Sequence, residues 1–230
     1  MRDEVIPEGK WQFNHSVAAV FDDMLARSIP DYIGMRRIVT ELALWFAKSG
    51  TAIVDLGCSR GAALKPIIEA LGDDCSYLGV EISDSMRAAA RKEIPQAEIL
   101  PLDLREAYPN IPASVTLSVL TLQFVPIEYR QRILSDAFRN TTSGGAFILV
   151  EKILGSDAFT DKLLVDTYLS RKGENGYTQE QIAAKRRSLE GVLVPVTAEW
   201  NEDFLRAAGF GHVECVWRHL NFAAWIATKP

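Results

Sequence analysis

The sequence predicts an α/β fold built on a mostly parallel sheet with right-handed crossovers. Three observations carry that prediction. In Thr51–Leu56 a short β-branched run meets an acid, Asp55, and is followed by the turn Gly57-Cys58-Ser59-Arg60-Gly61 and residues that can start a helix. Strand and helix patterns then alternate as far as Lys152. Acidic residues recur at the ends of the strands: Asp55, Glu81 and Asp103. The first stretch has a bland alternative, since a tight strand-to-helix turn often has this composition for packing alone.

The 230 residues form one candidate domain, 1–230, with 48% hydrophobic and 24% charged residues. A net charge of −5 argues against broad binding to nucleic acid. Cys58, Cys75 and Cys215 lack metal-ligand spacing, so no metal is expected, and free thiols fit a reducing cytoplasm. No apolar run is long enough to cross a membrane, and no signal-peptide core follows Met1.

In order along the chain, residues 1–12 are polar, broken by Pro7 and Gly9, and are expected to be a mobile arm. Helices over 14–27 and 31–48 (13–48 together) form a flap ahead of the first strand. A helix over 61–71, irregular at Pro66, is followed by a strand over 77–82, a helix from Ser83 and a short strand over 97–100. A strand over 114–120, a helix over 126–140 and a strand over 146–152 continue the alternation. Residues 154–196 interrupt it with two helical patterns and no convincing strand, an insertion expected to serve as lid or dimer surface. A helix over 197–208, stopped by Gly209, and two antiparallel strands near 211–218 and 220–228 close the chain.

The strand-end acids indicate the ligand. A carboxylate at Glu81 can accept both ribose hydroxyls of a nucleoside lying across the Gly57 turn, and Asp103 can take the exocyclic amine of adenine. Ser59 stands where a dinucleotide fingerprint needs its second glycine, and Asp55 would repel a phosphate. Asp55 suits instead the ammonium end of an amino-acid nucleoside. S-adenosylmethionine, with adenine, ribose, sulfonium and ammonium but no phosphate, fits this set.

The runs Asp55-Leu56-Gly57-Cys58-Ser59-Arg60-Gly61-Ala62-Ala63, Thr121-Leu122-Gln123-Phe124 and Glu151-Lys152 resemble the bacterial carboxy-S-adenosylmethionine synthases. So do Val20–Met24, Arg27–Tyr32, Asn175-Gly176-Tyr177, Lys185-Arg186, Ala208-Gly209-Phe210 and Asn221-Phe222, which together span nearly the whole chain. The resemblance implies a class I methyltransferase, Rossmann-like sheet of seven strands, wobble-uridine tRNA modification as the setting, and a homodimer. It implies cofactor contact at Tyr32, Gly57, Glu81, Asp103 and Leu104; Asp55, Cys58, Ser59, Ile82 and Val119 complete the expected cofactor set.

Two positions depart from the family. Phe204 stands where the synthases carry an Arg for the extra carboxylate of their product, with Arg206 two places on, and Val119 replaces an Asn that contacts the cofactor. The sequence therefore favours an S-adenosylmethionine-dependent methyltransferase of unspecified small-molecule acceptor. Gln123, Glu151, Tyr177 and Arg206 are its candidate acceptor-pocket residues. The second reading is the synthase itself, with prephenate as carboxyl source and Arg206 replacing the Arg. The third is a non-catalytic dimeric subunit that holds S-adenosylmethionine or S-adenosylhomocysteine. His15, His212 and His219 read as surface or packing residues. Lys185-Arg186-Arg187 can touch a phosphate or tRNA, but beside Glu180 and Glu190 reads as a solvated helix face.

Overall fold

A computed structural model describes residues 1–230. Its spine is a sheet with strand order β3-β2-β1-β4-β5-β8-β7. The strands are β1 (Ala52–Leu56), β2 (Ser76–Val80), β3 (Glu98–Leu100), β4 (Ala113–Val119), β5 (Thr141–Leu154), β7 (His212–His219) and β8 (Phe222–Thr228). The first five run parallel, and β8 pairs antiparallel with both β5 and β7. β1 is buried at every position, as a strand covered on both faces must be. Its alternate residues feed two apolar layers, Ile53 on one side and Val54 and Leu56 on the other.

Two helices precede the sheet: α1 (His15–Ser28), with Asn14 accepting from the Val17 N–H at its start, and α2 (Tyr32–Phe46). Between the strands lie α3 (Lys65–Leu71), α4 (Asp84–Glu93) and α5 (Ile127–Asn140). The insertion supplies α6 (Ala158–Glu174) and α7 (Gln179–Leu189), the latter opened by a reciprocal Thr178–Gln181 cap. α8 (Ala198–Ala208) precedes the closing strands.

Four expectations need correction. The arm is not loose: Asp3 and Trp11 are buried, the Asp3 N–H donates to Asp23 at 2.7 Å, and the Trp11 N–H donates to the Ser188 carbonyl at 2.9 Å. Helix α3 starts only at Lys65, because Pro66 is tolerated in a first helical turn and not within one. β5 begins at Thr141 rather than 146; Gly144, at φ +66°, absorbs a register shift that lets the strand continue through what reads as a turn. A two-residue strand, β6 (Val196–Thr197), pairs with β5 and ties the insertion's exit to the sheet.

Candidate functional site

The parallel strands carry their carboxyl ends to one edge, and there α1, α2, α6 and α7 close over a cavity of about 360 Å³. That is where an open α/β sheet places its ligand, and the volume lies within the range of small-molecule sites. The β1 turn forms its floor. Gly57 has φ +77°, and a Cβ there would sit 2.4 Å from the Thr121 side chain, so both the conformation and the neighbour demand glycine. Its N–H and that of Cys58 donate to the Val80 carbonyl, locking the turn onto β2. The close neighbour of Gly57 is thus a protein side chain, which makes the glycine a packing requirement. Ser59 follows in the left-handed region at φ +49°.

The acids at the strand ends all reach this wall. Glu81 lies one residue past β2 and accepts from the Ser59 N–H at 3.0 Å and the Ser83 N–H at 2.8 Å. Those bonds orient the carboxylate and oppose the burial that raises its pKa. A carboxylate has about four acceptor positions, so roughly two are left for a ligand. Asp55 is fully enclosed, and burial pushes its pKa up to about 7 against the pull of Arg36. Asp103 is held below its ordinary value mainly by the Arg105 side chain, whose Nε lies 3.0 and 2.9 Å from its two oxygens. A ligand amine at Asp103 must therefore share it with Arg105. Tyr32, Cys58, Ile82, Leu104 and Val119 also line the cavity, completing the expected cofactor set on one surface.

The expected acceptor-pocket residues do not assemble. Gln123 lines the cavity, but its amide is engaged: Oε1 accepts from the Lys152 N–H at 2.8 Å and Nε2 donates to the Leu120 carbonyl at 3.3 Å. Glu151 is buried off the cavity wall, where burial raises its pKa to about 8. Its strand neighbour Lys152 lines the cavity instead, as alternation along β5 requires. Tyr177 lies behind the wall, its hydroxyl donating to Asp3 at 2.5 Å. Arg206 is half-exposed and pairs with Glu202 on its own helix at 2.9 Å. Phe204 is also off the wall: its ring stacks on Trp200 at 5.6 Å and packs against the apolar layer on one face of the sheet.

Five cations line the cavity without having been anticipated: Arg36, Arg105, Lys152, Lys172 and Lys185. Arg36 was legible in part, standing one helical turn after Tyr32 on the same face. Lys185 was read as solvated but is buried against Asp3, so only Arg186 and Arg187 of the basic cluster face solvent. The arm and flap add an edge-to-face aromatic wall, in which Phe13 lies 5.0 Å from Phe124 and 6.3 Å from Phe21. No helix is long and apolar enough to cross a membrane.

Comparison with known proteins agrees with this architecture. A family profile described as a methyltransferase domain matches residues 53–145. The chain is 36% identical to the carboxy-S-adenosyl-L-methionine synthase of Methylococcus capsulatus, covering 99% of each chain. It is 38% identical to that of Desulforapulum autotrophicum, over 100% of this chain and 94% of the relative. Among solved structures it resembles an O-methyltransferase family protein from Burkholderia thailandensis (TM-score 0.67, 18% identity, 94% of this chain and 60% of that one). It also resembles a TehB-like S-adenosylmethionine-dependent methyltransferase from Corynebacterium glutamicum (TM-score 0.56, 13% identity, 91% and 94%). The sheet order and these likenesses make the fold that of the class I methyltransferases.

Proposed function

Because this chain belongs to the carboxy-S-adenosyl-L-methionine synthase family, we propose that it is an S-adenosylmethionine-dependent transferase whose product is the carboxylated nucleoside, with prephenate as carboxyl source. The observation that carries this reading is the cavity wall on which Asp55, Glu81 and Asp103 stand together with Arg36. S-adenosylmethionine fits that wall by charge and by hydrogen-bond chemistry. Glu81 would hold the ribose hydroxyls, Asp103 and Leu104 the adenine, Asp55 the ammonium group and Arg36 a carboxylate. Bound there, the cofactor supplies a carbon group activated by an adjacent sulfonium. The chain's own contribution is to position it and, through the flap and α7, to keep water out.

The preference for simple methyl transfer rested on Phe204 standing where the synthases carry an Arg for the extra carboxylate. With that ring packed against the sheet's apolar layer and Arg36 on the cavity wall, the substitution takes no cation out of the cavity formed by one chain. Methyl transfer to a small acceptor is the second reading, favoured by Val119, which gives the wall an apolar contact. Mass measurement of the nucleoside that copurifies with the protein tests the two. The carboxylated form supports synthesis; S-adenosylmethionine or S-adenosylhomocysteine alone would favour methyl transfer.

The same reading includes a single domain that pairs as a homodimer. Phe159 and Leu163, four residues apart on α6, are 79% and 56% exposed and form an apolar edge that pairing would cover. Sedimentation of the wild-type chain and of Phe159→Asp checks this, with a monomer expected only for the variant. A tRNA surface has little support, since Lys185 is spent inside the cavity.

A further inference from the structure

Residues 1–13 form no helix or strand, yet they cross the seam between the flap and the insertion and are fastened on both sides. The Asp3 N–H donates to Asp23 of α1 at 2.7 Å, and the Asp3 carbonyl accepts from Arg27 of the same helix at 3.1 Å. The Asp3 carboxylate meets the insertion, accepting from the Tyr177 hydroxyl at 2.5 Å and pairing with the Lys185 ammonium. A second fastening follows at Trp11, whose N–H donates to the Ser188 carbonyl of α7 at 2.9 Å. Phe13 completes it, its carbonyl accepting from the Ser83 hydroxyl at 2.6 Å. Between the two fastenings Glu4, Ile6 and residues 8–10 are exposed. Trp11, Phe13 and Lys185 all line the cavity.

Such a segment can come undone without the fold. The flap helix α2 is held by Met35, Val39 and Ala43, fully buried in the same apolar layer as Ile53 of β1, and only unfolding would free it. The arm has two short fastenings with an exposed stretch between them. Its first fastening is a buried ion pair, and taking two charges out of water offsets most of what their attraction gains. Opening returns both charges to water, so the pair releases at small net cost, where an apolar plug of that size would not. The seated arm also leaves the Trp11 indole N–H buried without an acceptor, which penalises the closed state. A bound molecule weighs on the other side. Trp11 and Phe13 offer it contacts that exist only with the arm down, so occupancy and seating favour each other.

We propose that residues 1–13 are a strap that gates the cavity, with Asp3, Tyr177 and Lys185 as its latch and Trp11 and Phe13 as its seal. Seated, the strap ties the flap to the insertion over an occupied cavity and keeps water out. Released, it frees the seam between those two lids and lets the ligand exchange. The gate therefore sets the rates of entry and exit. The proposal rests on the reading that places a nucleoside in this cavity, but the strap's own opening can be followed without one.

Two measurements on the full chain test it. In hydrogen exchange followed by mass spectrometry, S-adenosylhomocysteine should slow the amides of residues 3–13 at least about fivefold while those of β1 and β4 stay unchanged. Without ligand, Asp3→Asn should speed the same arm amides and again leave β1 and β4 unchanged. Equal speeding of arm and sheet would mean lost stability in place of a released strap, and would count against the latch. The second measurement fixes the arm. Lys10→Cys and Glu190→Cys, in a Cys215→Ser background because Cys215 is the exposed native thiol, are joined by a bismaleimide with a disulfide in its linker. Lys10 already reaches the Glu190 carbonyl, so a short linker spans the pair. The tethered protein should take up and release S-adenosylhomocysteine at least about tenfold more slowly, and reducing the linker should restore both rates. Rates unchanged by the tether would overturn the proposal and move the entrance to the polar hollow between Pro30 and Arg171. Should Asp3→Asn fail to fold, the tether decides. Failure of the untethered protein to bind S-adenosylhomocysteine would strike the nucleoside reading, while arm exchange in Asp3→Asn without ligand still decides the latch.

Discussion

Replacing Glu81 with Gln perturbs one side chain in a known setting. The carboxylate accepts the Ser59 and Ser83 N–H groups at 3.0 and 2.8 Å and offers its remaining lone pairs to the cavity. A Gln oxygen can keep one of those backbone donors, but its NH2 group turns a donor toward the other. The nucleoside loses more. Two charge-assisted hydrogen bonds of roughly 1.5–3 kcal/mol become neutral ones of roughly 0.5–1.5 kcal/mol. The difference over both bonds is about 2–3 kcal/mol, or roughly 30- to 150-fold in Kd. Stability should change little, because the substitution removes a carboxylate whose burial already disfavours its charge. Calorimetric titration of wild type and Glu81→Gln with S-adenosylhomocysteine measures the loss, with circular dichroism as the check on folding. An analogue lacking the 2′-hydroxyl should bind the wild type less well and lose little further in the variant. A Kd within about threefold of wild type in a folded Glu81→Gln protein would remove Glu81 from the ribose.

Cofactor affinity should rise with pH across the pKa of about 7 at Asp55, because the ionised carboxylate is the form that pairs with an ammonium; Asp55→Asn should flatten that profile. The same raised pKa has a stability consequence of opposite sign. The folded state holds the Asp55 proton more tightly than the unfolded state, so this contribution is present below the ordinary carboxylate range and is lost as pH rises through about 7. Arg36→Met should weaken S-adenosylhomocysteine by roughly ten- to a hundredfold if the guanidinium meets its carboxylate, and unchanged binding would exclude that contact. Gly57→Ala should cost about 1–2 kcal/mol from the left-handed backbone alone, plus a collision with Thr121 that a Thr121→Ser background only partly relieves. Urea unfolding of Gly57→Ala, Thr121→Ser and the double variant separates the two costs.

Local pattern made the sheet readable. β-branched runs, strand-end acids and helix stops lie within a few residues of one another, and those short-range signals placed β1, β2, β4 and the antiparallel β7–β8 pair. The acids of the cavity wall were readable for the same reason, since Asp55, Glu81 and Asp103 stand at or just past the ends of β1, β2 and β3. What pairs across the chain was not. Asp3 meets Lys185 across 182 residues, so an arm that looks loose in the sequence is fastened by a buried ion pair without local periodicity. Phe204 shows a different limit: a position on a helix says nothing of the face until the partner is known, and α8 turns Leu205 and Ala208 inward against the sheet. Glu151 and Lys152 could have been separated in advance, because neighbours on a strand cannot both face one cavity.

The most direct measurement is turnover. Purified protein incubated with S-adenosylmethionine and prephenate should yield, over many cycles, a nucleoside heavier by one carboxyl group, as mass spectrometry would record. S-adenosylmethionine recovered unchanged from that mixture would contradict the synthase assignment.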